Sequence, residues 1–430
     1  MHDILPCDSY NWLWLEGALQ KWIMSYGYSQ IRTPIVEYTE LFLHTVGQYS
    51  DIVQKEMYSW QDSMNQDNIS LRPEGTAPCL RAVLEHSLLY NTYRKLWYMG
   101  SMFRHERPQK GRSRQFNQFG VEVLGISSYA VETELILMLN NLWKIFKLDG
   151  LKLHINCLGS ILDRVKYKEI LTKYLEDNIN SLQQRKLLSL QEYQNLVKLL
   201  SQNPLRILDS KLTVLIETVR NAPVILEHLS KESLYHYQSW KTSLDNLGIQ
   251  YIETPYLVRG LDYYNLSVFE WISDCLGSQS TVCGGGRYDA LFNLMPNKTS
   301  INRKYAAGFA IGIERLLLIL QESKLLPKQK CIDIYLCSLD NTSIDYCLKI
   351  LQHLHQYSNN SLEIFYNCEI LSIQKHLKKA EEMGARFIFF SGNEELDQQQ
   401  IAVKNMNNRE QSKIPFNNLN RFLECEAFTA

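Results

Sequence analysis

The segment from Leu96 to Gly125 most constrains the fold, because its pattern predicts two strands joined by a basic loop. The second strand, 115–124, alternates with period two, so Gln118, Gly120 and Glu122 share one face and mostly apolar side chains occupy the other. The apolar face suits packing against helices. The polar face is open to a ligand, since a glycine between two polar side chains removes bulk there. The segment therefore predicts a sheet with a binding site on one surface.

The loop between these strands, Phe103 to Gln115, carries five Lys or Arg residues between positions 104 and 114 and one Glu. Guanidinium groups bind phosphate oxygens in pairs, so this loop can meet phosphates. A charge run alone favours the alternative of a solvated basic hairpin. Arg104 argues for a phosphate, because the pattern places it within the first strand, on the surface shared with Gln118 and Glu122.

Three further segments carry polar residues in unusual settings. Leu71–Thr76 precedes an amphipathic helix with Thr76 as its N-cap. A capped helix start does not explain Glu74, whose carboxylate could bind an ammonium group. Leu257–Tyr264 places Arg259 beside two tyrosines, and a buried arginine there would need a partner. The glycines of Thr281–Asp289 predict either a tight turn or a close approach of the backbone to a ligand.

Ala306–Arg315 is typical of a small-residue strand that enters a helix. Arg315 falls in the first turn, where the helix dipole disfavours cations, so its position favours an anion such as a triphosphate opposite it. An exposed arginine offset by Glu314 is the alternative.

The length of 430 residues predicts about two to four domains. We expect a helix over 9–26 and then a strand over 31–36, which Pro34 would confine to an edge or an interface. Helical periodicity dominates 161–247, and a buried-strand run at 332–336 begins a new α/β pattern. The predicted division is 1–160, first part of the core; 161–247, helical insertion; 248–326, second part of the core; and 327–430, C-terminal domain.

Composition excludes several classes of protein. Hydrophobic residues make up 45% and charged residues 21%, which argues against wholesale disorder and against a membrane protein. The start lacks the basic-then-apolar pattern of a secretory signal, so the expected location is the cytoplasm. The ten cysteines include no Cys-x-x-Cys pair, and neither Cys331 with Cys337 nor Cys275 with Cys283 has zinc-ligand spacing. The net charge of −1 means that any RNA binding must rely on local basic surfaces.

Taken in order, these segments resemble the three signature motifs of class II aminoacyl-tRNA synthetases, and Leu-Val-Arg-Gly-Leu-Asp-Tyr-Tyr at 257–264 resembles histidyl-tRNA synthetases specifically. The resemblance covers nearly the whole chain, and neither the HIGH nor the KMSKS signature of a class I synthetase is present. It implies an α+β fold: an antiparallel sheet flanked by helices, a helical insertion and a C-terminal α/β anticodon-binding domain. It also implies a homodimer through the first helix and the Pro34 strand.

The resemblance further implies ATP-dependent activation of L-histidine and its transfer to tRNA(His), with Mg²⁺ accompanying the ATP phosphates. Arg104 and Arg259 are implied as catalytic cations at the reacting phosphate. The implied histidine contacts are Glu74, Gly75, Thr76, Arg104, Gln118, Glu122, Arg259, Tyr263 and Tyr264. The implied ATP contacts are Arg104, Glu106, Phe116 and Arg315. The implied contacts with the tRNA acceptor stem are Arg107, Lys110, Arg112 and Arg114; the metal ligands stay unassigned.

Two departures from the family pattern stand out. Family members usually have an Arg-Gly pair before the Asp-x-Leu-Pro matched by Asp3–Pro6, and the segment Asn367–Ser372 lacks a glycine-rich loop often found in the last domain. Two other functions remain open at this point. One is a catalytically silent regulatory subunit of histidine biosynthesis, a type of relative that generally lacks the anticodon domain. The other is a non-catalytic RNA-binding protein, which would not need Arg104, Glu106 and Arg315 together.

Overall fold

A computed structural model describes residues 3–47, 50, 52–210, 212–259, 261, 263–275, 281–295, 304–327, 332–359 and 361–426. Gly260 and Asp262 of the tyrosine segment, and Cys331, lie outside the described residues. The chain divides into two compact units, Met1–Pro327 and Lys328–Ala430.

The first unit combines helices on both sides of a large sheet with a helical region in mid-chain. Its helices are α1 (Pro6–Ser25), α2 (Thr39–Thr45), α3 (Thr76–Glu85), α4 (Ala130–Ile145), α5 (Ile161–Gln184), α6 (Leu190–Gln202), α7 (Ile216–Arg220), α8 (Lys231–Asn246), α9 (Leu291–Leu294) and α10 (Ile313–Glu322). Its strands are β1 (Ser29–Gln30), β2 (Val36–Tyr38), β3 (Ser59–Gln61), β4 (Asn68–Leu71), β5 (Arg94–Phe103), β6 (Gln115–Leu124), β7 (Leu151–Cys157), β8 (Ile252–Glu253), β9 (Asn265–Ser273), β10 (Thr281–Arg287) and β11 (Ala306–Gly312).

The large sheet has the strand order β1-β5-β6-β11-β10-β9-β7-β8 in the described part of the unit. Pairing is antiparallel from β5 through to β7, and only the short outer strands β1 and β8 run parallel to their neighbours among these described pairs. A smaller antiparallel sheet has the order β2-β4-β3. The predicted antiparallel sheet flanked by helices is confirmed.

The two faces of β6 divide as the alternation predicts. Phe119, Val121 and Val123 are buried in a core that also contains Leu15 and Leu19 of α1. Because side chains alternate along a strand, the polar side chains of β6 point to the other face of the sheet. The core thus fixes one side of β6 and leaves the opposite side to form a site.

The helical region has a core of its own. Leu171 and Leu175 of α5 and Leu196 of α6 lie in a separate apolar cluster. Helix α8, however, buries Trp240 and Leu244 in the core beneath the large sheet. The last helix of the predicted insertion therefore packs as part of the core of the large sheet.

Two local predictions are wrong, and one of two open interpretations is excluded. The segment 31–36 is not one strand: β1 ends at Gln30 and β2 begins at Val36, because Arg72 Nη1 donates to the carbonyls of Thr33 (3.0 Å) and Pro34 (3.4 Å), which replaces a strand ladder. Strand β5 ends at Phe103, so Arg104 follows the strand instead of lying within it. Of the two interpretations of Thr281–Asp289, the tight turn is wrong, since its glycines lie inside β10 between two partner strands.

The second unit is a small α/β domain, as predicted. Its strands are β12 (Ile334–Ser338), β13 (Ile364–Asn367), β14 (Phe387–Ser391), β15 (Gln400–Asn405) and β16 (Gln411–Pro415), and its helices are α11 (Ile344–Tyr357), α12 (Ile373–Glu382), α13 (Asn393–Asp397) and α14 (Leu419–Cys425). The strand order is β13-β12-β14-β15-β16, parallel in its first three strands and antiparallel beyond them.

Candidate active site

A cavity of about 290 Å³ lies on the polar face of the large sheet. It brings together residues from sequence segments far apart in the chain. The predicted residues that line it are Glu74, Thr76, Arg104, Glu106, Arg112, Phe116, Gln118, Glu122, Arg259, Tyr263, Tyr264 and Arg315. Gly75 precedes α3 beside it, whereas Arg107, Lys110 and Arg114 are not among its described lining residues.

Glu122 forms the floor of the cavity and is buried. Among the described residues, its carboxylate accepts hydrogen bonds from the hydroxyls of Thr76 (2.8 Å), Tyr98 (3.0 Å) and Tyr288. Burial raises the pKa of Glu122 to about 8, in spite of these hydrogen bonds, which act in the opposite direction. Burial therefore favours the protonated form of Glu122.

Tyr98 supports this floor and fits only because two neighbouring residues are glycines. A Cβ at Gly75 or at Gly120 would lie 2.1 Å from the Tyr98 ring. Such a separation is far below van der Waals contact, so a side chain at either position would displace the ring and the hydroxyl that it aims at Glu122.

Gly75 is the N-cap residue of α3, but the capping side chain is that of Glu74, not of Thr76. Its two carboxylate oxygens accept the backbone N–H groups of Thr76 (2.8 Å) and Ala77 (2.8 Å), and the Tyr263 hydroxyl lies 3.4 Å away. The prediction that Thr76 is the N-cap is wrong, because its hydroxyl donates to Glu122 and a carboxylate suits the positive end of the helix dipole better. Burial raises the pKa of Glu74.

The opposite end of the cavity is cationic. Arg104 Nε donates to the carbonyl of Pro73 (2.8 Å), and its guanidinium lies 5.2 Å from the centre of the Phe116 ring. Glu106 forms an ion pair with Arg112 and lies 3.9 Å from Arg104. Arg112, predicted as a tRNA contact, thus reaches inward to the cavity wall in this structure.

Arg315 lies in the first turn of α10, as predicted. It donates from Nη1 to the carbonyl of Thr281 (2.6 Å) and from Nε to that of Gly111 (3.1 Å). Burial and the nearby Arg112 lower the pKa of Arg315. The alternative of an exposed arginine offset by Glu314 is wrong, since Glu314 accepts the backbone and side-chain N–H groups of Asn117 (2.7 and 3.1 Å).

Arg259 pairs with Glu270, and its guanidinium lies 5.6 Å from the centre of the Tyr264 ring. Burial lowers the pKa of Arg259, but Glu270 outweighs burial and raises it above the ordinary value. Apart from Glu106 Oε2, which pairs with Arg112, two buried polar atoms of residues that line the cavity, Arg259 Nε and Gln118 Oε1, have no hydrogen-bond partner among the described residues. Buried polar groups are normally satisfied, so this donor and this acceptor indicate contacts that a ligand would complete.

A buried ion pair outside the cavity holds the end of β10. Arg287 Nε and Nη2 donate to Glu132 at 2.7 and 2.6 Å, and Arg287 Nη2 also donates to the Ser128 carbonyl (3.0 Å). Burial raises the pKa of Glu132, but Arg287 and His236 outweigh burial and hold it at about 2. The next residue is Tyr288, so this pair anchors the backbone that presents its hydroxyl to Glu122.

Comparison with known proteins decides the family. The histidyl-tRNA synthetase family model matches residues 1–316, and the anticodon binding domain model matches residues 333–426. The chain belongs to the histidyl-tRNA synthetase family. It is 44% identical over 405 residues to the histidine--tRNA ligase of Laribacter hongkongensis, covering 94% of this chain and 92% of that protein. It is 42% identical over 427 residues to that of Legionella pneumophila strain Lens, covering 99% and 96%.

A solved structure agrees with this family. The apo histidyl-tRNA synthetase of S. aureus superposes with a TM-score of 0.78 at 33% identity, covering 98% of this chain and 97% of that one. The matches extend over the anticodon-binding domain, which the regulatory-subunit alternative generally lacks, and so favour the synthetase.

Sequence reasoning missed four residues of this synthetase site: Tyr98, Glu270, Thr281 and Tyr288. Tyr98 had a usable signal, because it faces Gly120 across the β5–β6 pair and a tyrosine opposite a glycine can fill the vacated space. Glu270 and Thr281 gave no comparable signal, since their contact depends on how β9 and β10 pair.

Proposed function

We propose that the chain activates L-histidine with ATP, forming histidyl-adenylate and diphosphate, and then transfers histidine to the 3′ end of tRNA(His), releasing AMP. The observation that carries this proposal is a single cavity with a buried, hydroxyl-ringed Glu122 at one end and Arg104, Arg259 and Arg315 at the other. Such a cavity suits a ligand with a polar ring at one end and anionic groups at the other.

Histidine binds with its imidazole toward Glu122 and Tyr264. Protonated Glu122 can donate to one imidazole nitrogen, or can accept from an imidazole N–H once ionised, so its raised pKa leaves both arrangements accessible near neutral pH. The α-ammonium group lies within reach of the unpaired Gln118 Oε1 and of Glu74. The tyrosine hydroxyls that already hold Glu122 fix its orientation before histidine arrives.

ATP binds at the cationic end. Phe116 stacks on the adenine, Glu106 contacts its edge, and Arg315 holds the distal phosphates. The histidine carboxylate oxygen attacks the α-phosphorus, an O–P bond forms, and the bond to the departing diphosphate breaks. This step brings two anions together, so Arg104 and Arg259 act by supplying positive charge where negative charge accumulates. In the second step a terminal ribose hydroxyl of the tRNA attacks the activated carbonyl carbon and AMP leaves.

Mg²⁺ enters this proposal with the nucleotide. Within the described ranges, no group of three or more His, Cys, Asp or Glu side chains could hold a metal ion. Mg²⁺ is commonly bound through substrate phosphates together with one or two carboxylates, so the ATP phosphates would supply most of its ligands here.

The tRNA would meet the loop between β5 and β6. Arg107 is exposed, and Lys110 pairs with Glu322 (2.8 Å) at the surface of α10. Arg112 and Arg114 are half-buried. Contacts of such residues with phosphates position an RNA without reading its sequence, and recognition of the anticodon is assigned to the second unit.

We also propose a cytoplasmic homodimer. Leu13 of α1 is 70% exposed, and Tyr38 of β2 and Trp60 of β3 are 60% and 44% exposed. Apolar side chains of this size on the first helix and on the small sheet support the dimer surface expected from the sequence. No described helix has the length and apolar character needed to cross a membrane.

The test is aminoacylation of tRNA(His) with labelled histidine. We expect charged tRNA from the wild-type protein and none from Arg259→Ala, which should remain a folded dimer by circular dichroism and light scattering. A wild-type protein that binds histidine but forms no histidyl-tRNA would favour the regulatory-subunit function. A fully active Arg259→Ala would refute the role of that arginine.

A further inference from the structure

Thr281 and Glu270 connect the two arginines that flank the proposed path of the triphosphate. Glu270 pairs with Arg259 through Oε1 and accepts the Thr281 hydroxyl at Oε2 (2.8 Å). The carbonyl of the same Thr281 accepts Arg315 Nη1 (2.6 Å). A continuous chain of contacts therefore runs from Arg259 to Arg315 through two residues that have no role in the proposed chemistry.

A β-bulge places Thr281 on the cavity side of the sheet. In the β9–β10 pair, Glu270 faces Gly284 and Trp271 faces Cys283, but Thr281 faces Ile272 because the register shifts between Thr281 and Cys283. Without the extra residue Thr281 would face Ser273, on the surface opposite to Glu270, since neighbouring residues alternate between faces. The bulge thus turns the Thr281 hydroxyl toward the Glu270 carboxylate.

The surroundings of Arg259 leave its guanidinium little freedom. A Cβ at Gly284 would lie 2.4 Å from Arg259 Nη1, so the group rests directly against the backbone of β10. Tyr264 flanks it at 5.6 Å, and Glu270 fixes its Nη1 end. The Arg259 guanidinium is therefore held in position, but its Nε is buried and has no hydrogen-bond partner among the described residues.

We propose that Glu270 and Thr281 are positioning residues for activation, a role that rests on the proposed function. They fix the separation of Arg259 and Arg315, and Glu270 serves as the counter-ion of Arg259 while the site is empty. An incoming phosphate then competes with Glu270 for Arg259. This competition weakens the binding of the departing diphosphate and favours its release.

The role of Glu270 as counter-ion of Arg259 is tested by Glu270→Gln, which keeps the side-chain shape and an acceptor oxygen but removes the negative charge. Isothermal titration with metal-free inorganic pyrophosphate should show binding about tenfold tighter than in wild type, because Arg259 loses its counter-ion. Equal or weaker pyrophosphate binding overturns the proposal. So does an unchanged metal-free affinity combined with a raised Mg²⁺ requirement for exchange, which would make Glu270 a metal ligand.

The positioning part is tested by Thr281→Val, with Thr281→Ser as its matched control. The valine removes the hydroxyl at similar volume and should raise the KM for ATP in pyrophosphate exchange roughly fivefold, with the KM for histidine unchanged. The serine retains the hydroxyl and should restore the ATP KM. A valine variant that behaves as wild type, or equal damage from both variants, overturns this role. Wild-type protein without histidine-dependent exchange would refute the proposed function instead, while pyrophosphate titration would still test Glu270.

Discussion

Replacing Glu122 with glutamine should remove a loss of folding stability that grows with pH in the wild-type chain. The ordinary pKa of the carboxyl is 4.5 and the folded site raises it to about 8. Below pH 4.5 the Glu122 carboxyl is protonated in both the folded and the unfolded chain, so it does not change the free energy of unfolding. Between pH 4.5 and about 8 the unfolded chain loses the proton that the folded chain keeps. Above 8 the folded chain must bury a carboxylate, so the free energy of unfolding falls as pH rises through this window.

The size of the effect follows from the same two values. Linkage predicts that the stability of Glu122→Gln relative to wild type increases by about 3 kcal/mol between about pH 5.5 and about pH 9. All eight tryptophans lie in Met1–Pro327, so tryptophan fluorescence during urea denaturation reports on the unit that contains Glu122. Glu176→Gln, on an exposed position of α5, controls for the loss of one negative charge. A difference between Glu122→Gln and wild type that stays constant across this pH range would refute the burial argument.

Two further substitutions test the supports of the site. Gly120→Ala places a Cβ 2.1 Å from the Tyr98 ring and should destabilise the protein by about 1–3 kcal/mol in urea denaturation. It should also abolish histidine binding in calorimetry. Unchanged binding would show that the position of Tyr98 is not needed for the histidine site. Glu132→Gln leaves Arg287 buried beside an uncharged partner and should lower the free energy of unfolding by about 3–5 kcal/mol. This loss should be present above about pH 4.5 and should shrink as pH falls toward 2, where Glu132 of the wild type is protonated as well. A loss of the same size in acid would show that the charge of Glu132 does not stabilise the fold.

Local pattern was sufficient to predict the parts of the site that depend on one strand or one helix. Alternation along β6 places Gln118 and Glu122 on one face, and the junction at Gly312 places Arg315 in the first turn of α10. These relations follow from strand and helix geometry alone, so no knowledge of tertiary structure is required.

Contacts between distant segments could not be predicted in the same way. Threonine is a common N-cap, so the local pattern favours Thr76 as the cap on α3, but the Thr76 hydroxyl donates to Glu122, 46 residues away in sequence. Thr281 reaches Glu270 through a bulge that glycine content does not reveal. Tertiary partners decide which of several locally acceptable hydrogen bonds each side chain makes.

The most direct test of the account is histidine-dependent exchange of labelled pyrophosphate into ATP, measured with each standard amino acid in turn. We expect exchange with histidine and background with the others, because in the proposed arrangement the imidazole contacts Glu122 while the carboxylate of the same histidine reaches Arg104 and Arg259. Exchange with a different amino acid and none with histidine would contradict it.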